Sequence, residues 1–178
     1  MRGQTTLDFA IGMSLFLAVL IFVFLFIPGL LSPFTAGAQD ETVTTNRVAD
    51  QLTKSTLGGP DQPYTIDRFC TVEFFDGNGP GRCVFDDESL SEQLGLDANR
   101  QHVNVTIRGN VTKQPSEREE ILCWDVSDER LLEQSDCVGS DVRLARGDTP
   151  PSTNDETVTA LRVVSLNLED VTLYVEMW

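Results

Sequence analysis

The pattern of apolar and polar positions divides the chain near residue 38. Residues 9–31 carry no formal charge, and their apolar side chains fall on every side of a helical projection. The run exceeds the roughly 20 apolar residues that a helix needs to cross a bilayer. We therefore predict a hydrophobic helix over residues 4–38, covered by lipid or by like helices. Pro28 and Pro33 are expected either to kink this helix or to end it, because proline removes a backbone hydrogen bond.

The remaining residues, 39–178, show shorter periods. Residues 40–57 have apolar positions at helical spacing and predict a second helix, which Gly58-Gly59-Pro60 would end. From Tyr64 onward the period approaches two, which is typical of strands. The predicted strands are 68–75 and 82–85 as a hairpin, then 102–108, 121–126, 142–145, 157–168 and 171–177, the last two joined across Glu169-Asp170; 89–94 and 129–134 are predicted helical turns.

These elements predict an α+β fold, in which a long N-terminal hydrophobic helix precedes a single antiparallel β-rich globular head. Of the 178 residues, the first 38 hold one base, Arg2, and one acid, Asp8, so the head carries the other 27 acids and 12 bases and the whole net charge of −15. Only Lys54 and Lys113 are lysines. An acid-rich, lysine-poor surface resembles that of proteins from extreme halophiles, and it disfavours nucleic-acid binding because no basic stripe is present.

Four cysteines, Cys70, Cys83, Cys123 and Cys137, all follow the apolar segment. An even number beyond a membrane segment predicts two disulfides. Three pairings are open, and Cys70–Cys83 with Cys123–Cys137 is favoured because each pair closes a short loop. The sequence has no C-x-x-C motif and one histidine, His102, so we expect no metal site and no cofactor.

Other motifs carry weaker signals. Asn104 and Asn110 begin two N-x-T sequons, of which Asn110 is the better glycosylation candidate, the alternative being ordinary polar residues. Residues 76–87 faintly resemble a calcium loop, but Pro80 and Val84 lack ligand oxygens and a plain hairpin turn is favoured. The chain has no phosphate-binding glycine loop and no nucleophile elbow, so we do not expect an enzyme.

Three interpretations of the N-terminus are open. A conventional signal peptide would be cut near Ala36-Gly37-Ala38, but the apolar run is long for one. A single-pass anchor is the second interpretation. In either case Arg2 precedes the segment and Asp40 and Glu41 follow it, which predicts an external head.

The third interpretation rests on residues 2–9, RGQTTLDF. This stretch resembles the class III signal peptide of archaeal type IV pilin-like proteins, in which Gln, any residue, Ser, any residue and Glu follow the cut. Gln4 matches, and Thr6 and Asp8 are chemically close exchanges for serine and glutamate. The resemblance implies that a prepilin peptidase removes residues 1–3 by cutting between Gly3 and Gln4.

Asp8 has a role under this interpretation. The cut would create a positive α-amine at Gln4, and an acid four residues later lies one helical turn away. Asp8 would pair with its own amine or with that of a neighbouring subunit and so fix the register between subunits. The alternative is that Asp8 only complements the dipole at the helix N-terminus.

The function expected from the sequence is a major or minor structural subunit of an archaeal type IV pilus-like filament. It would self-associate through the helix, with its head outside the membrane before assembly and at the cell surface afterwards. The alternative is an uncut, membrane-anchored surface protein whose external head binds a partner.

Overall fold

The computed structural model describes residues 3–35, 38–79, 81–112, 119–152 and 157–178, and it divides the chain into two compact units, Met1–Gln39 and Asp40–Trp178. The first unit contains the helix α1, Gly3–Thr35, as predicted. Its backbone remains helical through Pro28 and Pro33, so neither proline ends the helix. Each proline removes only one hydrogen bond from a long helix whose other bonds hold it together.

The head begins with the helix α2, Ala38–Gln51, which continues into a π-helical turn, Leu52–Thr56. This confirms the second predicted helix. Val48, Ala49 and Leu52 are fully buried, whereas Val43 is 69% exposed. The helical segment ends at Thr56, two residues before Gly58, where a side chain would collide with the carbonyl oxygen of Thr53. Glycine therefore permits the chain to turn back closely against the helix end.

Within the described residues, nine strands form one mixed sheet, with the order β1-β2-β8-β9-β3-β4-β5, while β6 pairs with β4 and β7 with β3. The strands are β1 Gly58–Gly59, β2 Gln62–Ile66, β3 Val103–Gly109, β4 Glu120–Asp125, β5 Arg130–Glu133, β6 Val142–Arg143, β7 Ala145–Gly147, β8 Val158–Leu166 and β9 Glu169–Met177. The α+β class is confirmed. One pairing departs from the antiparallel prediction, because β2 runs parallel to β8 at Thr65 and Ser165.

The predicted strand over residues 68–75 is wrong, because this segment forms the helix α3, Arg68–Asp76. Its N-cap, Asp67, accepts a hydrogen bond from the backbone N–H of Cys70 at 2.8 Å. Its end is set by Gly77, which has φ of 85° and donates to the Glu73 carbonyl at 3.0 Å. These two caps outweigh the strand preference of the aromatic residues between them. The predicted hairpin with residues 82–85 is therefore absent.

Two further predictions differ at chain reversals. Residues 129–134 were predicted helical, but β5 occupies most of them because it pairs with β4 from Leu122 to Asp125. The β8–β9 reversal lies at Asn167 and Leu168, two residues earlier than predicted, and both have positive φ, 53° and 69°. The helical turn predicted at 89–94 is confirmed as α4, Leu90–Gln93, which has a capping box.

The core of the head lies between the helices and one face of the sheet. Alternate residues of β3 and β9 are buried there, with Phe74 of α3 and Leu52 among the largest fully buried side chains. Phe74 packs edge-to-face against both Phe75 and Phe85. Burial of this set gives the head its own hydrophobic core.

Candidate assembly helix and head surface

The apolar surface of α1 is uncovered. Asp8–Phe26 forms a 19-residue stretch with a mean hydropathy of 2.8, of which none is buried. Large side chains such as Phe9, Phe24 and Leu25 are mostly exposed. The helix is long and apolar enough to cross a membrane, a property that signal sequences share. A surface of this kind is stable only when lipid or other apolar helices cover it.

The predicted processing residues lie at the start of this helix. Gly3 and Gln4 are in the first turn of the α1 backbone, and Asp8 follows one turn after Gln4 with an exposed side chain. Asp8 is the one acid in the sequence of α1. Met1 and Arg2 lie outside the described residues, as do Ala36 and Gly37 of the alternative cleavage site. The pairing of Asp8 with an amine therefore remains a prediction.

Two disulfides stabilise the head, in the pairing favoured from the sequence. Cys70–Cys83, with an S–S distance of 2.06 Å, ties α3 to the loop that follows it, rather than closing a hairpin. Cys123–Cys137, at 2.04 Å, ties β4 to the end of the short 3-10 turn Gln134–Asp136. Together with the apolar helix, these disulfides are features of a secreted or membrane-associated protein.

The two sequons differ in their surroundings. Asn104 lies inside β3, and its side-chain amide nitrogen donates to the Asp148 carbonyl at 2.8 Å. A glycan attaches at this nitrogen, so a glycan on Asn104 would have to fit beside the Asp148 carbonyl. Asn110 follows the end of β3, and its side-chain oxygen accepts from the Thr112 hydroxyl at 3.3 Å. Modification of Asn110 remains the prediction.

The loop similar to a calcium site is held by its own side chains. Asp76 is the last residue of α3 and accepts from the Asn78 amide at 2.7 Å, while Asp87 accepts from the backbone N–H of Gly79. Pro80 lies outside the described residues. In the described part of the chain, no group of three or more histidine, cysteine, aspartate or glutamate side chains is placed to hold a metal ion.

His102 fastens the C-terminal end of the chain. Its Nδ1 lies 2.8 Å from Oδ2 of Asp148, and its ring stacks on that of Trp178 at a centroid distance of 5.9 Å. The backbones of His102 and Trp178 also exchange two hydrogen bonds. His102 therefore has a structural role, which is to hold the C-terminal residue against the head.

Arg146 lies in β7, and its side chain reaches into the head. Its guanidinium donates to the Phe74 carbonyl at 2.8 Å and to the Glu88 carbonyl at 3.2 Å. Burial lowers the pKa of Arg146 because it penalises the charged form. This arginine therefore joins β7 to the C-terminal end of α3 and to the loop before α4.

Sequence reasoning also missed an ionic network between α2 and β8. Asp50 accepts from Lys54 at 2.9 Å and from Nε of Arg162 at 2.8 Å, and Arg162 donates to the Asn46 side chain at 3.1 Å. The hydrogen bond from Lys54 and then that from Arg162 hold the pKa of the Asp50 carboxyl below its ordinary value. Asp50 and Lys54 are four residues apart, which is the spacing at which opposite charges pair on the surface of a helix. Arg162 is 112 residues away from Asp50, and no local pattern connects them.

Comparison with known proteins places the chain in a family without assigning it a role. Residues 1–178 match the Family of unknown function (DUF7287), so the chain belongs to that family. No curated protein matches it. No solved structure matches it either.

Proposed function

We propose that this chain is a structural subunit of an archaeal type IV pilus-like surface filament, cut by a prepilin peptidase before Gln4. The observation that carries the proposal is α1, a 33-residue helix that begins with the processing-like residues Gly3 and Gln4. Its side chains over Asp8–Phe26 are almost all apolar, on every side of the helix, and they are uncovered. This arrangement is what a helix needs if it is held first by lipid and then by identical helices.

The energetics support assembly through α1. Each large apolar side chain buried from water contributes roughly 1.5–3 kcal/mol. Transfer from lipid to a helical bundle gains much less, because lipid tails are as apolar as the side chains. A dedicated assembly machine and a specific polar contact would therefore both be needed, and Asp8 is the acid in α1 that can supply the contact.

The head supports the same proposal. Its 27 acids keep it hydrated outside the membrane, and its two disulfides suit an external compartment. The contacts of His102 give it a structural role, and we propose that the protein is not an enzyme. Its partners in the proposal are the prepilin peptidase, the membrane and further copies of itself.

Determination of the N-terminus of the membrane-purified protein by mass spectrometry tests this proposal. The expected mature chain begins at Gln4 in the wild type, and Gly3→Val leaves the leader attached. Gly12→Val, the matched substitution inside α1, is expected to leave cleavage unchanged.

Two results would contradict the proposal. An intact start before Gln4 in the wild type would favour the uncut, membrane-anchored surface protein. A start near Gln39 would indicate a conventionally secreted head.

A further inference from the structure

The sequence of β8 is one that readily adds a further strand. Residues 158–164 read VTALRVV, a run of high strand preference without proline or glycine, and Arg162 is its only charge. On one side β9 pairs with β8 along its whole length. Among the described strands, β2 alone pairs on the other side, and only at Ser165. We define the β8 edge as residues 158–163, the part that β2 does not pair with.

Part of the backbone of the β8 edge points away from β9. Because a two-residue turn closes on Leu166 and Glu169, the even-numbered residues of β8 exchange hydrogen bonds with β9. The N–H and C=O groups of Thr159, Leu161 and Val163 therefore point to the other side. The side chains of Leu161 and Val163 are 51% and 67% exposed. An edge of this kind is a site of aggregation between chains unless something protects it.

The side chain of Arg162 lies across this edge. Its Nη1 donates to the Leu161 carbonyl at 2.8 Å, so one of the outward-pointing acceptors is already taken. The same guanidinium is fixed by α2, because its Nε donates to Asp50 at 2.8 Å and its Nη2 donates to the Asn46 side chain at 3.1 Å. Each guanidinium nitrogen is therefore engaged, and the group cannot swing away from the strand without losing its bonds to the helix.

We propose that Arg162, held in place by α2, protects the β8 edge against the addition of a strand from another chain. A strand that paired here would have to displace the guanidinium from the Leu161 carbonyl and with it the contacts to Asp50 and Asn46. An inward-pointing charge is one of the devices that protect sheet edges. The device involves the head alone, so it does not depend on whether the chain is cut before Gln4.

Net charge does not provide this protection in strong salt. The head carries 27 acids against 12 bases, so two heads repel each other when the salt is dilute. At about 1 M salt the Debye length is about 3 Å, and this repulsion is screened. Arg162 and Asp50 are in direct contact at 2.8 Å, so salt ions cannot enter between them. Protection by Arg162 therefore persists at salt concentrations that remove the repulsion between heads.

Sedimentation velocity of the full chain in detergent, at about 0.1 M and about 1 M salt, tests the proposal. At the higher salt, Arg162→Ala should raise the association constant between chains roughly tenfold or more. Arg143→Ala, in β6, removes the same charge from another strand and is the matched control, which should behave as the wild type. Both variants make the head more acidic, so charge alone predicts weaker association for both. Stronger association of Arg162→Ala is therefore the signature of an exposed edge.

Hydrogen exchange locates the contact. In Arg162→Ala the peptide that covers β8 should gain amide protection as the protein concentration rises, whereas in the wild type its exchange should not depend on concentration. Adding Thr159→Lys to Arg162→Ala places a new charge at the same edge and should return the association to the wild-type level. A lysine on the surface does not correct a loss of folding, so this rescue distinguishes pairing at the edge from aggregation of unfolded chains.

A second substitution keeps the test independent of folding. If near-ultraviolet circular dichroism shows that Arg162→Ala has not folded, Arg162→Lys takes its place. The lysine keeps the charge and most of the apolar stem, but its single ammonium cannot reproduce the forked contacts of the guanidinium with Asp50 and the Leu161 carbonyl. Arg162→Lys should therefore also associate more strongly than the wild type at about 1 M salt.

Two results would overturn the inference. If the variant at Arg162 associates no more than the wild type and Arg143→Ala at the higher salt, the guanidinium does not protect the edge. If it associates more strongly but β8 gains no amide protection, or Thr159→Lys gives no rescue, the chains meet at another surface.

Discussion

The helix α1 exposes its apolar side chains, whereas the head buries most of its own. In α1 the large side chains are exposed along 19 residues, with Asp8 as the single charge, whereas the head places most of its apolar side chains inside and most of its acids outside. The head is therefore complete by itself, with a core, two disulfides and a charged surface. The helix can be stable only with something beside it. This difference is the reason for proposing that α1 serves association while the head faces solvent.

The largest expected effect concerns Asp8. Asp8→Asn removes the charge that would pair with the amine of Gln4 and should reduce the amount of chain in sheared surface filaments by roughly tenfold or more. Cleavage before Gln4 and the unfolding of the head should not change, because neither depends on this pairing. Asp8→Glu keeps the charge and is the matched control. Equal filament yield from wild type and Asp8→Asn would leave Asp8 with only a helix-dipole role.

In the head, the core substitution with the largest expected cost is Phe74→Ala. This ring is fully buried against two other phenylalanines, so its loss should lower the free energy of unfolding by about 3–5 kcal/mol. Chemical denaturation followed by Trp124 fluorescence measures the change. Val138→Ala, at an exposed position, should change it by less than about 0.5 kcal/mol. If the two variants cost the same, the head lacks the core described here.

The ionic network between α2 and β8 should contribute less to the stability of the head than Phe74 does. Because its folded pKa lies below the ordinary 3.8, Asp50 stabilises the head above that pH and loses its effect as the pH falls through the folded pKa. At neutral pH, Asp50→Asn should cost less than about 1 kcal/mol, since the carboxylate is partly solvated. The difference in the free energy of unfolding between the wild type and Asp50→Asn should disappear as the pH falls from about 5 to about 2.

The control for that titration is Asp61→Asn, at an exposed acid in the turn between β1 and β2. Denaturation curves for this variant should parallel those of the wild type over the same pH range. If the difference in the free energy of unfolding between Asp50→Asn and the wild type stays constant with pH, the carboxylate charge is not what stabilises this contact.

The smallest expected effect is an increase in the stability of the head. Leu168 has φ of 69° in the β8–β9 turn and its side chain is 98% exposed, so Leu168→Gly relieves backbone strain and loses no packing. We expect the head to become more stable by about 0.5–1 kcal/mol in denaturation experiments. Asn167→Gly should gain less, because asparagine tolerates positive φ. A loss of stability in Leu168→Gly would mean that the leucine side chain makes a contact of its own.

The sequence predicted those elements whose signal is local. The apolar length of α1, the alternation in β9 and the serine and glutamate that cap α4 could all be recognised without a structure. The caps of α3, Asp67 and Gly77, are also present in the sequence. The aromatic residues between them are typical of a strand, and this preference led to the wrong prediction. The apolar run continued past both prolines, and so did the α1 backbone.

The rest depended on contacts between distant segments. β5 is a strand because β4 lies beside it, and the partner of Arg162 is on α2. The parallel contact of β2 with β8 has no signature in either strand alone. A turn that places leucine at positive φ is likewise contrary to residue preference. Tertiary packing decided each of these features.

The N-terminal residue of the chain recovered in filaments sheared from the cell surface is the most direct test of the central claim. The account predicts that sheared filaments contain this chain and that it begins at Gln4. Protein that remains in the membrane fraction with its leader attached would contradict the account.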